Sequence, residues 1–139
     1  MGNQKMNNEQ SVNMEEFNNL CVKIRSCENS YGEEIESLYE ELLDLLKTNV
    51  RLQQEYTKAL KSAVLQFRNA RREGPGILSI DAIAYCMHEL RWDDVLQAAL
   101  EEQRSYFIPR QESTLVRLIE AFEDDWPEAE SYERYSRRT

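Results

Sequence analysis

Residues 33–72 read EEIESLYEELLDLLKTNVRLQQEYTKALKSAVLQFRNARR, forty positions without a glycine or a proline. Apolar residues recur three or four apart: Ile35, Leu38, Leu42 and Leu45, then Leu52, Tyr56, Ala59 and Ala63, with Asn49 in the one missing seam position. That period predicts helix with one buried stripe. Two arrangements fit. One is a single helix about 60 Å long; the other is a helical hairpin that turns near Thr48-Asn49. Charge favours the hairpin. Residues 28–44 hold seven acids and no base, whereas residues 51–72 hold six bases and only Glu55 against them. Folded back, the acidic start lies beside the basic end, and each end matches its own helix dipole. Leu60, Val64 and Phe67 add a second stripe, so the later helix is expected to be buried on two sides, as in a bundle. An antiparallel coiled-coil dimer satisfies the same charge pattern and stays open as an alternative.

Upstream, residues 1–12 are rich in Asn and Gln and read as a disordered tail. Asn13 with Glu16 three residues later resembles a capping box. Phe17, Leu20, Cys21 and Ile24 then define a first helix over about residues 14–27. Asn29-Ser30-Tyr31-Gly32 is turn chemistry. Downstream, Gly74-Pro75-Gly76 is the clearest break in the chain and predicts a loop between two helical layers. Ser79 or Asp81 can cap the next helix, whose buried face is Ile80, Ile83, Met87 and Leu90. Asp93 can cap another, with Leu96, Ala99 and Leu100 inward. Ile108-Pro109 opens a further helix, since Pro suits a first turn; its inner positions are Leu115, Leu118, Ile119, Phe122 and Trp126. Pro127 ends that helix and starts a last short one carrying Tyr132 and Tyr135. No stretch alternates as a half-buried strand would. The expected fold is all-α, one domain over residues 13–139, built as an antiparallel helical bundle or short helical stack of six to seven helices.

With 139 residues the chain is long enough for one domain with a real core. Its net charge of −9 disfavours sequence-independent binding to nucleic acid, because phosphates require a basic surface. The charge is uneven. Residues 1–76 hold 12 acids and 10 bases; residues 77–139 hold 14 acids, 7 bases and no Lys. An electrostatic function is therefore expected mostly in the second half. No apolar run approaches the roughly 20 residues of a membrane helix. Cys21, Cys27 and Cys86 are odd in number, without paired spacing or a signal peptide, which reads as a reducing, cytoplasmic home. Cys21 and Cys86 fall on apolar faces and are expected to be buried thiols.

The chemical constellations fail one by one. His88-Glu89 on a helix invites a zinc-protease reading, but that needs a second His one turn later, and position 92 is Trp92. His88 is the only histidine, so a triad or a His-paired thiolate has no other source. Cys86, two residues away, would not face it on a helix. His88 therefore reads as a surface or boundary residue. The acidic pairs Glu33-Glu34, Glu40-Glu41, Asp93-Asp94, Glu101-Glu102 and Asp124-Asp125 lack the contrasting environments that catalytic carboxylates need. No calcium loop or phosphate-binding loop is present. The expectation is a protein without catalysis, cofactor or metal.

One segment resists that filter. Over residues 123–133 six of eleven positions are carboxylates: Glu123, Asp124, Asp125, Glu128, Glu130 and Glu133. Trp126, Tyr132 and Tyr135 are interleaved with them. On one reading Trp126 plugs the core and the acids are a solvated helix end. On the other, the acids surround aromatic anchors on a contact surface, with Tyr and Trp concentrating binding energy and the carboxylates steering a basic partner. Trp92, Asp93 and Asp94 repeat the chemistry and would extend the surface if the two segments adjoin.

The stretches Met87-His88-Glu89-Leu90-Arg91-Trp92 and Asp125-Trp126-Pro127-Glu128-Ala129-Glu130-Ser131-Tyr132-Glu133 resemble segments of short acidic helical bacterial proteins of the kind that serve as immunity partners of secreted toxins. The resemblance implies a cytoplasmic inhibitor that covers a toxin's active site or a nearby exosite and performs no chemistry. The expected partner is a basic toxin or effector domain. The alternative expectation is a structural or adaptor module that self-associates through the 33–72 helices, with Asn49 setting register.

Overall fold

The helical run of residues 33–72 breaks where Asn49 stands. A computed structural model of the chain describes residues 2–29, 35–66, 78–104 and 109–136. Helix α2 covers Ile35–Thr48; a 3-10 turn follows at Val50–Leu52, and α3 covers Gln53–Gln66. Two polar side chains close α2. The Thr48 hydroxyl donates to the Asp44 carbonyl at 2.8 Å and the Asn49 amide donates to the Leu45 carbonyl at 2.9 Å. Side chains of this kind offer the backbone an alternative to the next helical bond. Asn49 accordingly leaves the helical region, at φ −105 and ψ 64.

The break is where the hairpin reading puts it, but the hairpin does not form. Instead of lying along each other, α2 packs on helices α1 (Gly2–Asn29) and α4 (Ile80–Leu90), and α3 packs on α5 (Asp93–Arg104). Burial explains the outcome. An exposed ion pair contributes about 0–1 kcal/mol, whereas burying one Leu contributes about 1.5–3 kcal/mol. Leu42, Leu43 and Leu46 of α2 and Leu52, Tyr56, Leu60 and Val64 of the later segment all become buried. Packing of that size outweighs pairing the acidic and basic surfaces.

Helix α6 covers Pro109–Glu120, with Pro109 at its first position as expected. Neighbours run in the order α1, α2, α4, α6, α5, α3. The first and last of these meet through the Phe17 and Tyr56 rings, 5.4 Å apart. Six α-helices and two 3-10 turns, with no strand, make up the described residues: the fold is all-α, a helical stack. No helix among them is long and apolar enough to cross a membrane.

Helix α4 is the centre of the core. The Ser79 hydroxyl caps it, accepting the Ala82 N–H at 3.1 Å. Ile80 and every residue from Ala82 to His88 are buried, on all sides of the helix and not only on the predicted face. Ala82 and Ala84 make this practicable, since small side chains let neighbouring helices approach. Leu90, expected inward, is only half-buried. Arg91 then ends α4 in the left-handed region, at φ 53 and ψ 44, with its N–H on the Met87 carbonyl. The chain turns at Trp92 and enters α5. Asp93 is the first helical residue and not the cap; the Trp92 carbonyl accepts the Val95 and Leu96 N–H groups.

At the other end, α1 is helical from Gly2, through most of the stretch read as a tail and through Asn13, the expected cap. No Gly or Pro interrupts residues 3–29, so nothing in the backbone stops the helix there. The turn at residues 30–32, Phe67, Gly74-Pro75-Gly76 and Ile108 lie outside the described residues. Cys21 and Cys86 are buried free thiols. Burial pushes the Cys21 thiol up to about 12 and raises Cys86 as well.

Candidate functional site

After α6 the chain tightens through residues 121–126 and makes a second 3-10 turn at Pro127–Ser131. Pro127 opens that turn with a φ already suited to it. Residues 127–136 then lie as a strap over α2 and α4. The strap is anchored by rings. Trp126 is 3% exposed; its ring centroid lies 4.9 Å from His88, 5.7 Å from Tyr132 and 5.9 Å from Tyr135. Tyr85 of α4 sits 5.0 Å from both strap tyrosines and 5.3 Å from Tyr39 of α2. Six aromatic rings thus form one continuous cluster, several of them at the tilted or edge-on angles such pairs favour. Burial raises the hydroxyls of Tyr39, Tyr85, Tyr132 and Tyr135 above the usual phenol range.

Carboxylates latch the same strap from outside. Glu36 accepts the backbone N–H of Glu133 at 2.8 Å and that of Arg134 at 3.0 Å. The Tyr85 hydroxyl lies 3.1 Å from Glu36 and 3.3 Å from Glu40. The Arg134 guanidinium donates to Glu89 at 2.5 Å, and Lys47 of α2 pairs with the other Glu89 oxygen. Burial alone would raise the Glu89 carboxyl, but hydrogen bonds from Lys47 and Arg134, with their charge, hold it below its ordinary value. The Tyr135 hydroxyl donates to the Tyr85 carbonyl at 2.6 Å. A second tie sits below: Glu28 of α1 accepts from the Tyr39 hydroxyl at 2.5 Å and the Ser79 hydroxyl at 2.6 Å.

This arrangement divides the predicted contact residues. Trp126 is core and does not project as an anchor. Tyr132 is half-buried in the ring cluster, and Trp92 is half-buried against the core. Glu123, Asp124 and Asp125 are exposed in the turn immediately before Trp126. Asp124 receives the Arg91 guanidinium at 3.1 Å, so the two acidic-aromatic segments do adjoin there. Asp93 is exposed beside that junction. Asp94 faces the other way, into a groove shared with Lys58 and Lys61 of α3. Glu128 pairs with Arg117 at 3.5 Å, Glu130 is exposed, and the Glu133 backbone is held by Glu36.

His88 corrects its sequence reading. It is 9% exposed, with Nδ1 2.8 Å from the Ala121 carbonyl and its ring against Trp126 and Tyr135. It belongs to the strap's seat and not to the surface. Tyr39, Tyr85, Glu36 and Glu89 were not legible as site residues, because each looks like ordinary helix composition until the strap arrives. Among the described residues no group of three or more His, Cys, Asp or Glu side chains is arranged to hold a metal ion.

The chain matches no protein-family model, no curated protein and no solved structure.

Proposed function

We propose that this chain is a protein-binding inhibitor without catalytic activity, a cytoplasmic immunity protein that neutralises a basic toxin. The observation that carries the reading is the exposed Glu123-Asp124-Asp125 turn fixed directly to buried Trp126. Three consecutive carboxylates on a seated turn lose little conformational freedom when a partner arrives, which favours affinity. Their charge attracts a basic surface and accelerates encounter. The uneven distribution of acids along the chain and the resemblance to acidic helical immunity proteins support the same reading. A toxin that acts on nucleic acid carries a basic substrate site, and carboxylates can occupy it in place of phosphates.

The test is co-expression with the product of the neighbouring reading frame. Rescue of growth and a stable complex support the proposal. Absence of both toxicity and binding overturns it. Self-association through residues 33–72 is the second reading; of its seam, Leu42, Leu52, Tyr56 and Ala63 are buried within the chain, whereas Ile35, Leu38, Leu45 and Ala59 are half-buried.

A further inference from the structure

Helices α1 and α2 run antiparallel, since Glu28 near the end of α1 meets Tyr39 early in α2, while Glu16 and Thr48 line one cleft at the opposite end. That cleft encloses about 440 Å³. Leu20 and Leu45 lie in it, with Glu16, Glu41 and Asp44 around them and Lys23 as the one base. It is distinct from the strap. Glu36, Glu40 and Lys47 address the strap, whereas Asp44, Glu41 and Leu45 stand roughly 60°, 120° and 160° around α2 from the middle of that face at the helical 3.6-residue period.

The carboxylates of the two regions differ in one respect. Glu28, Glu36, Glu40, Glu89 and Glu128 all accept hydrogen bonds or ion pairs from within the chain. Glu16, Glu41 and Asp44 carry no side-chain ion pair among the described residues. The basic residues that the sequence pattern would fold onto α2 lie elsewhere: Lys58 and Lys61 line the groove beside Asp94. A cleft with two leucines and three carboxylates against the single base Lys23 among its lining residues keeps a net negative charge, complementary to an amphipathic helix that presents one apolar side chain flanked by Lys or Arg.

We propose that the α1–α2 cleft receives a short basic amphipathic helix of a partner protein. An apolar side chain of that helix enters between Leu20 and Leu45, and its cations meet Glu16, Glu41 and Asp44. The surface is separate from the Glu123–Asp125 turn and stands or falls independently of it.

A synthetic helical peptide of leucine and lysine with a single apolar stripe serves as the probe, titrated into the full chain at physiological salt. The expected result is saturable one-to-one binding, with methyl resonance shifts confined to Leu20, Leu45 and Thr48. E41K/D44K weakens it by roughly tenfold or more, as two exposed attractions become repulsions. Replacing the peptide's apolar stripe by serine weakens it by about as much, and E123K/D125K leaves affinity within about threefold. Circular dichroism verifies that each variant keeps its helices. Shifts scattered over the whole surface, undiminished binding of the serine peptide, or indifference to E41K/D44K would each overturn the proposal. Self-association of the chain alone, abolished by E41K/D44K, would seat a second copy in the cleft and overturn it too.

Discussion

The Glu36 carboxylate accepts the backbone N–H of Glu133 at 2.8 Å, across 97 residues of sequence, and its second oxygen takes the N–H of Arg134. One side chain of α2 thereby satisfies two consecutive backbone donors of the strap. Leaving such groups unpaired costs about 1–3 kcal/mol where they are buried; here the Arg134 bond is part-buried and the Glu133 bond exposed. Glu36→Ala is therefore expected to lower stability by about 1 kcal/mol in urea denaturation, and Glu36→Gln by less, because a carbonyl acceptor remains. A loss of under about 0.5 kcal/mol for Glu36→Ala, the range of an ordinary surface change, would show that the strap does not depend on this latch.

Trp126 gives the clearest separation of core from contact. Buried among His88, Tyr132 and Tyr135, it is expected to cost about 3–5 kcal/mol when replaced by Ala. In a Trp92→Phe background its fluorescence would report strap seating directly. A Trp126→Ala protein of unchanged stability would contradict the buried assignment.

Stability is expected to fall at both ends of the pH scale. Glu89 has a folded-state pKa below its ordinary 4.5. Its contribution is therefore present above about pH 4.5 and lost as pH falls through the lowered value. Tyr39, Tyr85, Tyr132 and Tyr135 have folded-state values above the ordinary 10.0. Their contribution is present below pH 10 and lost as pH rises beyond it. Denaturation midpoints across pH check the first claim, and Glu89→Gln should flatten the acid limb. Phenolate absorbance checks the second: these four tyrosines should ionise together with unfolding, not at the free-phenol value.

The thiols should react unequally. Of three cysteines, Cys21 and Cys86 are buried with raised pKa values, whereas Cys27 is half-buried. Thiolate is the reacting form. A disulfide reagent at neutral pH should therefore label Cys27 first in the native protein and all three in denaturant. Rapid native labelling of Cys86 would contradict the position of α4 at the core.

The elements were legible where local chemistry decides them. The α2–α3 break lay in the Thr48-Asn49 pair, whose side chains bond back to α2, and Ser79 and Pro109 marked helix starts correctly. Partner choice was not legible. Acidic and basic runs within residues 28–72 argued for a hairpin, but exposed charges are too weak to direct packing against the apolar faces of α4 and α5. Helix α4 gave up only half of its burial, because a period-3.6 search sees one face and α4 is buried on all sides. The strap was hidden for another reason. Glu36 and Arg134 bond across 98 residues, and no pattern within either segment announces the other. Trp126 beside three acids reads equally as plug or as anchor; only its neighbours decide.

The most direct test of the proposed inhibitor is calorimetric titration of the neighbouring reading frame's product into the intact chain and into Glu123→Lys/Asp124→Lys/Asp125→Lys. The account predicts saturable binding to the intact chain. It predicts at least about a hundredfold loss for the charge-reversed turn, the scale of lost complementarity at a steered interface, with helix content and denaturation midpoint unchanged. Equal affinity of the two proteins for a product that does bind would contradict the assignment of the Glu123-Asp124-Asp125 turn as the contact surface.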